Sequence, residues 1–327
     1  MNRRDALAAL LAALATPAVT RGASHTLPRL GYLSLQSITE RPSRERQAFL
    51  DGLREYGRVP GKSIEIVYRS AENEPDFLQP MCQELLRAKV DVLATPGALT
   101  TLVALKLTRT VPIVFLAVGD PVGFGAVESL ARPGRNATGT TFISSELASK
   151  RIEYLKLAVP GVKRIAFLWD RKNRNGQIES AAAQAAAARL GVATESMPIE
   201  TQADLNAIFG RFGRSKNDAI YVSFTAGVVA NNRTAVAEFG LRHRVPVISG
   251  WSFMTEAGGL LSYAPDVPTM FRRSAFYVDR ILKGANPAEL PVERATKIEL
   301  TLNLGTARRL GLTLPPDLLL LADRTIE

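Results

Sequence analysis

The chain has 327 residues, about two ordinary domains, and its 46% apolar and 22% charged content is globular, neither disordered nor membrane-embedded. Its formal net charge of +10 is dispersed, without a run of five or six Lys or Arg, which argues against a nucleic-acid-binding stripe. Cys82 is the only cysteine and His25 and His243 are the only histidines, which excludes an internal disulfide, clustered thiolate metal sites and most histidine-based chemistry.

The first residues read as an address. Met1 to Arg4 is basic, Ala6 to Ala15 is all Ala and Leu, Pro17 breaks the run, and Gly22, Ala23 and Ser24 are small. That order is the one a signal peptide has. The ten-residue run is too short to cross a bilayer, which takes about 20 residues. Residues 1–24 are therefore expected to be removed after Gly22, Ala23 or Ser24. Arg3-Arg4 permits the twin-arginine route, but Asp5-Ala6-Leu7 lacks the aromatic residue expected after the pair, so Sec and Tat both stay open. The mature chain is expected in the periplasm or outside the cell.

Strand-like and helix-like stretches then alternate. Residues 30–34 predict a strand, and 44–56 a helix with Phe49, Leu50 and Leu53 on one face and Gly57 at its C-cap. A strand over 63–68, a helix over 77–88 capped by Asp76, a strand over 91–95, a helix over 100–108 and a strand over 111–116 follow. The same order returns: strand 164–169, helix 178–190 ended by Gly191, strand 192–198, helix 202–212, strand 218–223, helix 228–242 and strand 245–249. Lys89 to Leu93 parallels Lys216 to Ile220, and Thr110 to Val114 parallels Arg244 to Ile248. Last come strand 260–263, helix 269–283, strand 297–302 and helix 304–310, with Asn286 to Pro291 as the expected connecting loop.

Strands separated by helices favour parallel sheets with right-handed crossovers. The expected class is α/β, two Rossmann-like lobes with parallel sheets and an interlobe cleft, joined by several crossings. One lobe takes residues 25–142 plus about 264–290, and the other 143–263 plus about 291–327. A single large doubly wound domain is the alternative.

In open parallel sheets ligands sit beyond the carboxyl ends of the strands, where helix N-termini offer free N–H groups. The strand-to-helix loops therefore supply the candidates. Ser34, Gln36 and Ser37 follow the first strand and carry donors, or are turn residues. Thr95, Pro96, Gly97 and Thr100 combine hydroxyls with a close backbone approach, or form a plain turn. Gly119 and Asp120 end the fourth strand; Asp120 could pair with an ammonium or simply shape the Asp-Pro turn. Asp170 offers a carboxylate from the second lobe, Thr225 a hydroxyl, and Trp251 an aromatic lid. No catalytic residue, metal or cofactor is expected. No G-x-G-x-x-G follows the first strand, and no P-loop or G-x-S-x-G elbow occurs.

Several longer stretches carry a resemblance. They are Gly119-Asp120-Pro121-Val122-Gly123, Ser129 to Gly139, Glu256 to Tyr263, Leu290 to Glu293, Thr296 to Leu300 with Asn303, and Ala307 to Leu312 with Pro315-Pro316. From about Leu30 to its end the chain resembles the periplasmic substrate-binding proteins of ABC transporters related to the tryptophan/tyrosine-binding type. The resemblance implies a type I periplasmic-binding fold, no catalysis, and an ABC permease with its ATPase as partners. The expected function is binding of a small polar or aromatic solute, an amino acid or related carboxylate, by a monomer that does not span the membrane. A binding protein that feeds a membrane sensor is the alternative. One stretch departs from the family: Ser223-Phe224-Thr225-Ala226 stands where members often carry an acidic residue, which points to a less charged pocket.

Overall fold

The structure, a computed structural model, describes residues 27–212, 218–224 and 227–327; the expected signal segment 1–24 and the candidate Thr225 lie outside them. The first half runs β1 (Arg29–Ser34), α1 (Arg44–Glu55), β2 (Glu65–Ser70), α2 (Leu78–Arg87), β3 (Val92–Pro96), α3 (Gly97–Leu107), β4 (Ile113–Val118) and β5 (Ala137–Thr141). The second begins with α4 (Ser144–Ala158), β6 (Arg164–Asp170), α5 (Arg174–Arg189), β7 (Ala193–Ile199) and α6 (Gln202–Phe212). It continues with β8 (Ala219–Val222), α7 (Gly227–Asn231), α8 (Arg233–Arg242), β9 (Val247–Ser249), α9 (Ser252–Glu256) and β10 (Leu261–Pro265). The chain ends with α10 (Val267–Leu282), β11 (Glu293–Arg294), β12 (Ile298–Asn303), α11 (Leu304–Leu310), α12 (Pro316–Leu320) and β13 (Arg324–Ile326).

Among the described residues these strands form two sheets, ordered β11-β5-β4-β3-β1-β2 and β13-β12-β10-β9-β8-β6-β7. The order β5-β4-β3-β1-β2 recurs as β10-β9-β8-β6-β7, so the doubled pattern of the sequence is a doubled lobe. Two aspartates mark the equivalence. Asp91 accepts the backbone N–H of Arg29 at 2.7 Å, and Asp218 accepts those of Lys163 and Arg164 at 2.7 and 3.0 Å. Each carboxylate, just before its lobe's third strand, fastens the start of the first. Pairing is parallel except between β10 and β12. Antiparallel pairing needs no crossover helix, which suits a strand that arrives directly from the other lobe.

The chain crosses between lobes three times: after β5, at Asp266 after β10, and between β11 and β12. The last crossing falls later than expected. Residues 291–294 still belong to the first lobe, because Glu293 and Arg294 pair with Thr140 and Thr141 of β5.

Other differences have local causes. The helix expected over 228–242 is broken at Asn232, whose side-chain amide donates to the Val228 carbonyl at 2.8 Å and to Gln202 at 2.6 Å. Asp76 does not cap α2; it sits inside a 3-10 turn, Pro75–Phe77, and α2 starts without a side-chain cap. Helix α4 is invisible as an apolar stripe because a charged residue, Arg151, sits in the middle of its buried face. Strand β5, Ala-Thr-Gly-Thr-Thr, is fully buried yet has no large apolar side chain.

Helix α10 returns the chain to the first lobe and lies along α1. Asp279, almost fully buried, ties it there through Arg58 at 2.9 Å. The two helices meet at Gly52, where a Cβ would run into the Arg272 carbonyl and stand 3.0 Å from the Ala275 methyl. Gly52→Ala is therefore expected to destabilise the protein by about 1–3 kcal/mol, as overpacking generally does, read as a lower midpoint in urea with an unchanged slope.

Candidate functional site

The first-lobe candidates line one edge of their sheet, and most of their polar groups serve the chain itself. Ser34 donates to the Gln36 carbonyl at 2.7 Å, and Ser70 donates to the same oxygen at 2.9 Å. Gln36 and Ser37 are exposed, and the Ser37 hydroxyl accepts from Asn73 at 3.4 Å. Hydrogen bonds from Ser37 and Ser70 hold the neighbouring Glu72 carboxyl below its ordinary range. Thr95 shares a 2.9 Å hydrogen bond with Thr101, and Thr100 donates to the Pro96 carbonyl at 2.6 Å. Gly97 opens α3 at φ +77°, a left-handed conformation that favours glycine. Asp120 accepts the Gly123 N–H at 2.8 Å, closing the Asp-Pro turn. Across the cleft, Asp170 accepts the Lys172 N–H at 2.9 Å, and burial pushes its carboxyl above the usual range.

The lobes meet at Gly119. A Cβ there would stand 2.6 Å from Asn175 Nδ2 and 2.9 Å from Ser144 Oγ, so only glycine lets the start of α5 come this close to the end of β4. The Ser144 N–H donates to the Gly119 carbonyl at 2.7 Å, and Asn173 caps α5 by accepting the Asn175 N–H at 3.1 Å. Ser144 Oγ and Asn175 Oδ1 are buried without partners. Next to them lies a run of rings. Phe224 stacks on Trp251 at 3.8 Å between centroids and 14° between planes, and Phe142, from the first crossing, packs on Phe224 at 4.3 Å. Trp251 Nε1 is buried and also has no partner. Polar atoms left this way are costly unless something meets them.

Beneath the rings is a fully buried ion pair. Arg151 Nη1 donates to Glu179 Oε1 at 2.9 Å and to the Tyr221 hydroxyl at 3.0 Å, and its Nε donates to the Tyr263 carbonyl at 2.8 Å. Tyr221 donates to Glu179 at 2.9 Å, and the Phe224 N–H reaches both carboxylate oxygens at 3.1–3.2 Å. Burial raises the Glu179 carboxyl against the opposing pull of Arg151, Tyr221 and the Phe224 N–H. Burial works to lower the Arg151 guanidinium, but Tyr221 and Glu179 outweigh it and hold it above its ordinary value. Arg151 Nη2 stays buried without a partner, under Gly250, whose Cβ would stand 2.9 Å from it.

Of the expected residues, the structure brings Gly119 and Trp251 into this assembly; Ser144, Arg151, Asn175, Glu179 and Phe142 join them without having been singled out. A signal existed for two. Arg151 and Glu179 are charges on otherwise apolar or Ala-rich helix faces, which is where paired buried charges show themselves. Arg151→Met leaves Glu179 buried without its cation and is expected to cost about 3–5 kcal/mol. The double variant Arg151→Met, Glu179→Met removes both charges and is expected to recover most of that loss, read in urea denaturation; a double variant no more stable than the single one would contradict the pairing.

The family model of the ABC transporter substrate binding protein matches residues 34–326. A tyrosine-binding protein of Clostridioides difficile (strain R20291) is 24% identical over 283 residues, covering 86% of this chain and 81% of the relative. A conserved domain protein of Vibrio cholerae superposes with a TM-score of 0.84 at 28% identity, over 91% of this chain and 99% of that one. A Streptococcus pneumonia ABC domain in complex with L-Trp gives 0.84 at 24% identity, over 92% and 100%. With the match running from the first strand to the last, the chain belongs to the ABC transporter substrate-binding protein family and has its two-lobe, type I periplasmic-binding fold.

Proposed function

We propose that the protein is the exported solute-binding component of an ABC importer. It closes its lobes over one small polar or aromatic solute, an amino acid or related carboxylate, and passes it unaltered to a permease and its ATPase. The observation that carries this reading is the pair Ser144 Oγ and Asn175 Oδ1, buried and unpartnered against Gly119 where the lobes meet, with the rings of Phe142, Phe224 and Trp251 packed in series from the first crossing. A solute loses its water on entering, and such atoms replace those hydrogen bonds. The N-terminal address supports a periplasmic location, and no helix among the described residues is long and apolar enough to cross a membrane. The protein works as a monomer in this reading.

A thermal-shift series of the mature protein with amino acids, aromatic and aliphatic carboxylates, nucleosides and sugars tests it. A solute at about 100 times its Kd adds ~2.7 kcal/mol of stability, and small-angle scattering then shows a smaller radius on closure. Asn175→Ala is expected to weaken the same solute about tenfold. Absence of stabilisation across every class, or recovery of a chemically altered solute, would overturn the proposal.

A further inference from the structure

This inference rests on the lobe movement in the solute-binding reading, not on the identity of the solute. Helix α5 is built from small and polar residues, and Ile178 is its only large apolar side chain. On such a helix an isoleucine would ordinarily key the helix to its own sheet. Here that packing is done by Ala183, Ala186 and Ala187, while Ile178 is half-buried and belongs to neither apolar core of its lobe.

Its side chain reaches the first lobe instead. A Cβ on Gly123 would stand 2.9 Å from Ile178 Cδ1, and 2.6 Å from Asp120 Oδ2 within its own turn. Three residues earlier on the same helix, Asn175 meets Gly119. Residues three apart are neighbours on a helix surface, so two side chains of one face rest on two bare positions of one first-lobe loop. Neither Gly119 nor Gly123 has the left-handed backbone that favours glycine, so what these positions supply is the missing side chain. The loop is also stiff. Asp120 accepts the Gly123 N–H, and the N–H groups of Gly125 and Ala126 donate to the carbonyls of Val122 at 3.0 Å and Pro121 at 2.8 Å. Just before α5, Lys172 is paired with Glu200 at 3.0 Å, and that carboxylate, followed by Asp76 of the first lobe, holds its ammonium above the ordinary value.

We infer that Ile178 is a lobe-to-lobe latch: seated on Gly123, with Asn175 on Gly119 beside it, it stabilises the closed arrangement by protein contact alone and populates it before a solute arrives. When the lobes part, Ile178 returns to water, because its own lobe offers it no core. The solute then shifts an equilibrium that the chain has already biased.

Lobe separation in the mature protein, refolded from denaturant to remove carried solute, decides the matter. Spin labels on Gln79→Cys and Ala203→Cys, exposed positions at the cleft ends of α2 and α6, report it by pulsed dipolar spectroscopy, and Cys82 is fully buried and stays unlabelled. A short and a long distance are expected. Ile178→Ser is expected to lower the ratio of short to long about fivefold, the scale of a partly buried aliphatic side chain, while Ile178→Val keeps it within twofold. A distribution that Ile178→Ser leaves unchanged overturns the inference. So does an Ile178→Ser protein that fails to fold, since that would place the residue in a core. If the distances ignore residue 178 while a solute still stabilises the protein, the latch falls and the solute-binding reading stands. If the ratio responds as expected and no class of solute binds, the latch stands and the reading falls.

Discussion

A guanidinium without access to water has to be met by its own chain, and that requirement organises the cleft side of the second lobe. Arg151 comes from α4, Glu179 from α5, Tyr221 from β8 and the accepting carbonyl of Tyr263 from β10, so one buried group joins four elements. Removing two ions from water costs several kcal/mol each, and the arrangement stands on the matched Glu179 carboxylate, the Tyr221 hydroxyl and three of the five guanidinium N–H groups. Glu179 passes the constraint on. By taking the Phe224 N–H on both oxygens it fixes the turn after β8, and with it the ring that stacks on Trp251. Gly250 is bare because the guanidinium lies against it.

The doubled topology explains why this edge is the one that matters. In each lobe the strand order reverses between the first and third strands, β1 and β3 or β6 and β8, and the carboxyl ends there open a crevice. Two lobes in series turn two crevices toward each other. Close approach is then limited by side chains, and at the point of contact β4 is followed by Gly119. The loop beyond it is shaped by Asp120, whose carboxylate closes the turn over Gly123. Polar residues at the crevice thus divide into those that build loops, such as Ser34, Thr100 and Asp120, and those that are left open toward the other lobe.

That division is what the sequence shows least. The repeated lobe was legible because its strands are short apolar runs bounded by Gly, Pro and Asp, and helices such as 202–212 and 304–310 fall where their patterns place them. The neighbourhood of the cleft was legible too, since strand ends follow from strands. Which hydroxyl points outward depends on backbone partners that no spacing reveals: Thr95 turns to Thr101 and Thr100 to Pro96. Asn175 was hidden for a different reason. Helix α5 starts at Arg174, four residues before its first Ile-and-Ala stretch, because Asn173 caps it. Arg151 hid the helix that carries it, since a charge in the buried stripe breaks the very periodicity by which helices are read.

The crossings tie binding to closure. Ala295 N–H donates to the Thr141 carbonyl at 2.7 Å, and Asp266 N–H to that of Lys297 at 3.1 Å, so the third crossing is hydrogen-bonded to each of the other two. A ribbon joined in this way resists sliding between strands more than bending across them, which favours a hinge over shear. Phe142 and Ser144 lie at the first crossing itself, on either side of Ile143, which is held at φ +48°. They therefore sit nearest the axis of any bending motion and move least. Asn175 and the ring of Phe224 are carried by the second lobe and travel with it. In the proposed reading, a solute held between these two sets of groups gains its full contacts only when the lobes are together, and that difference between states is what closure can be driven by.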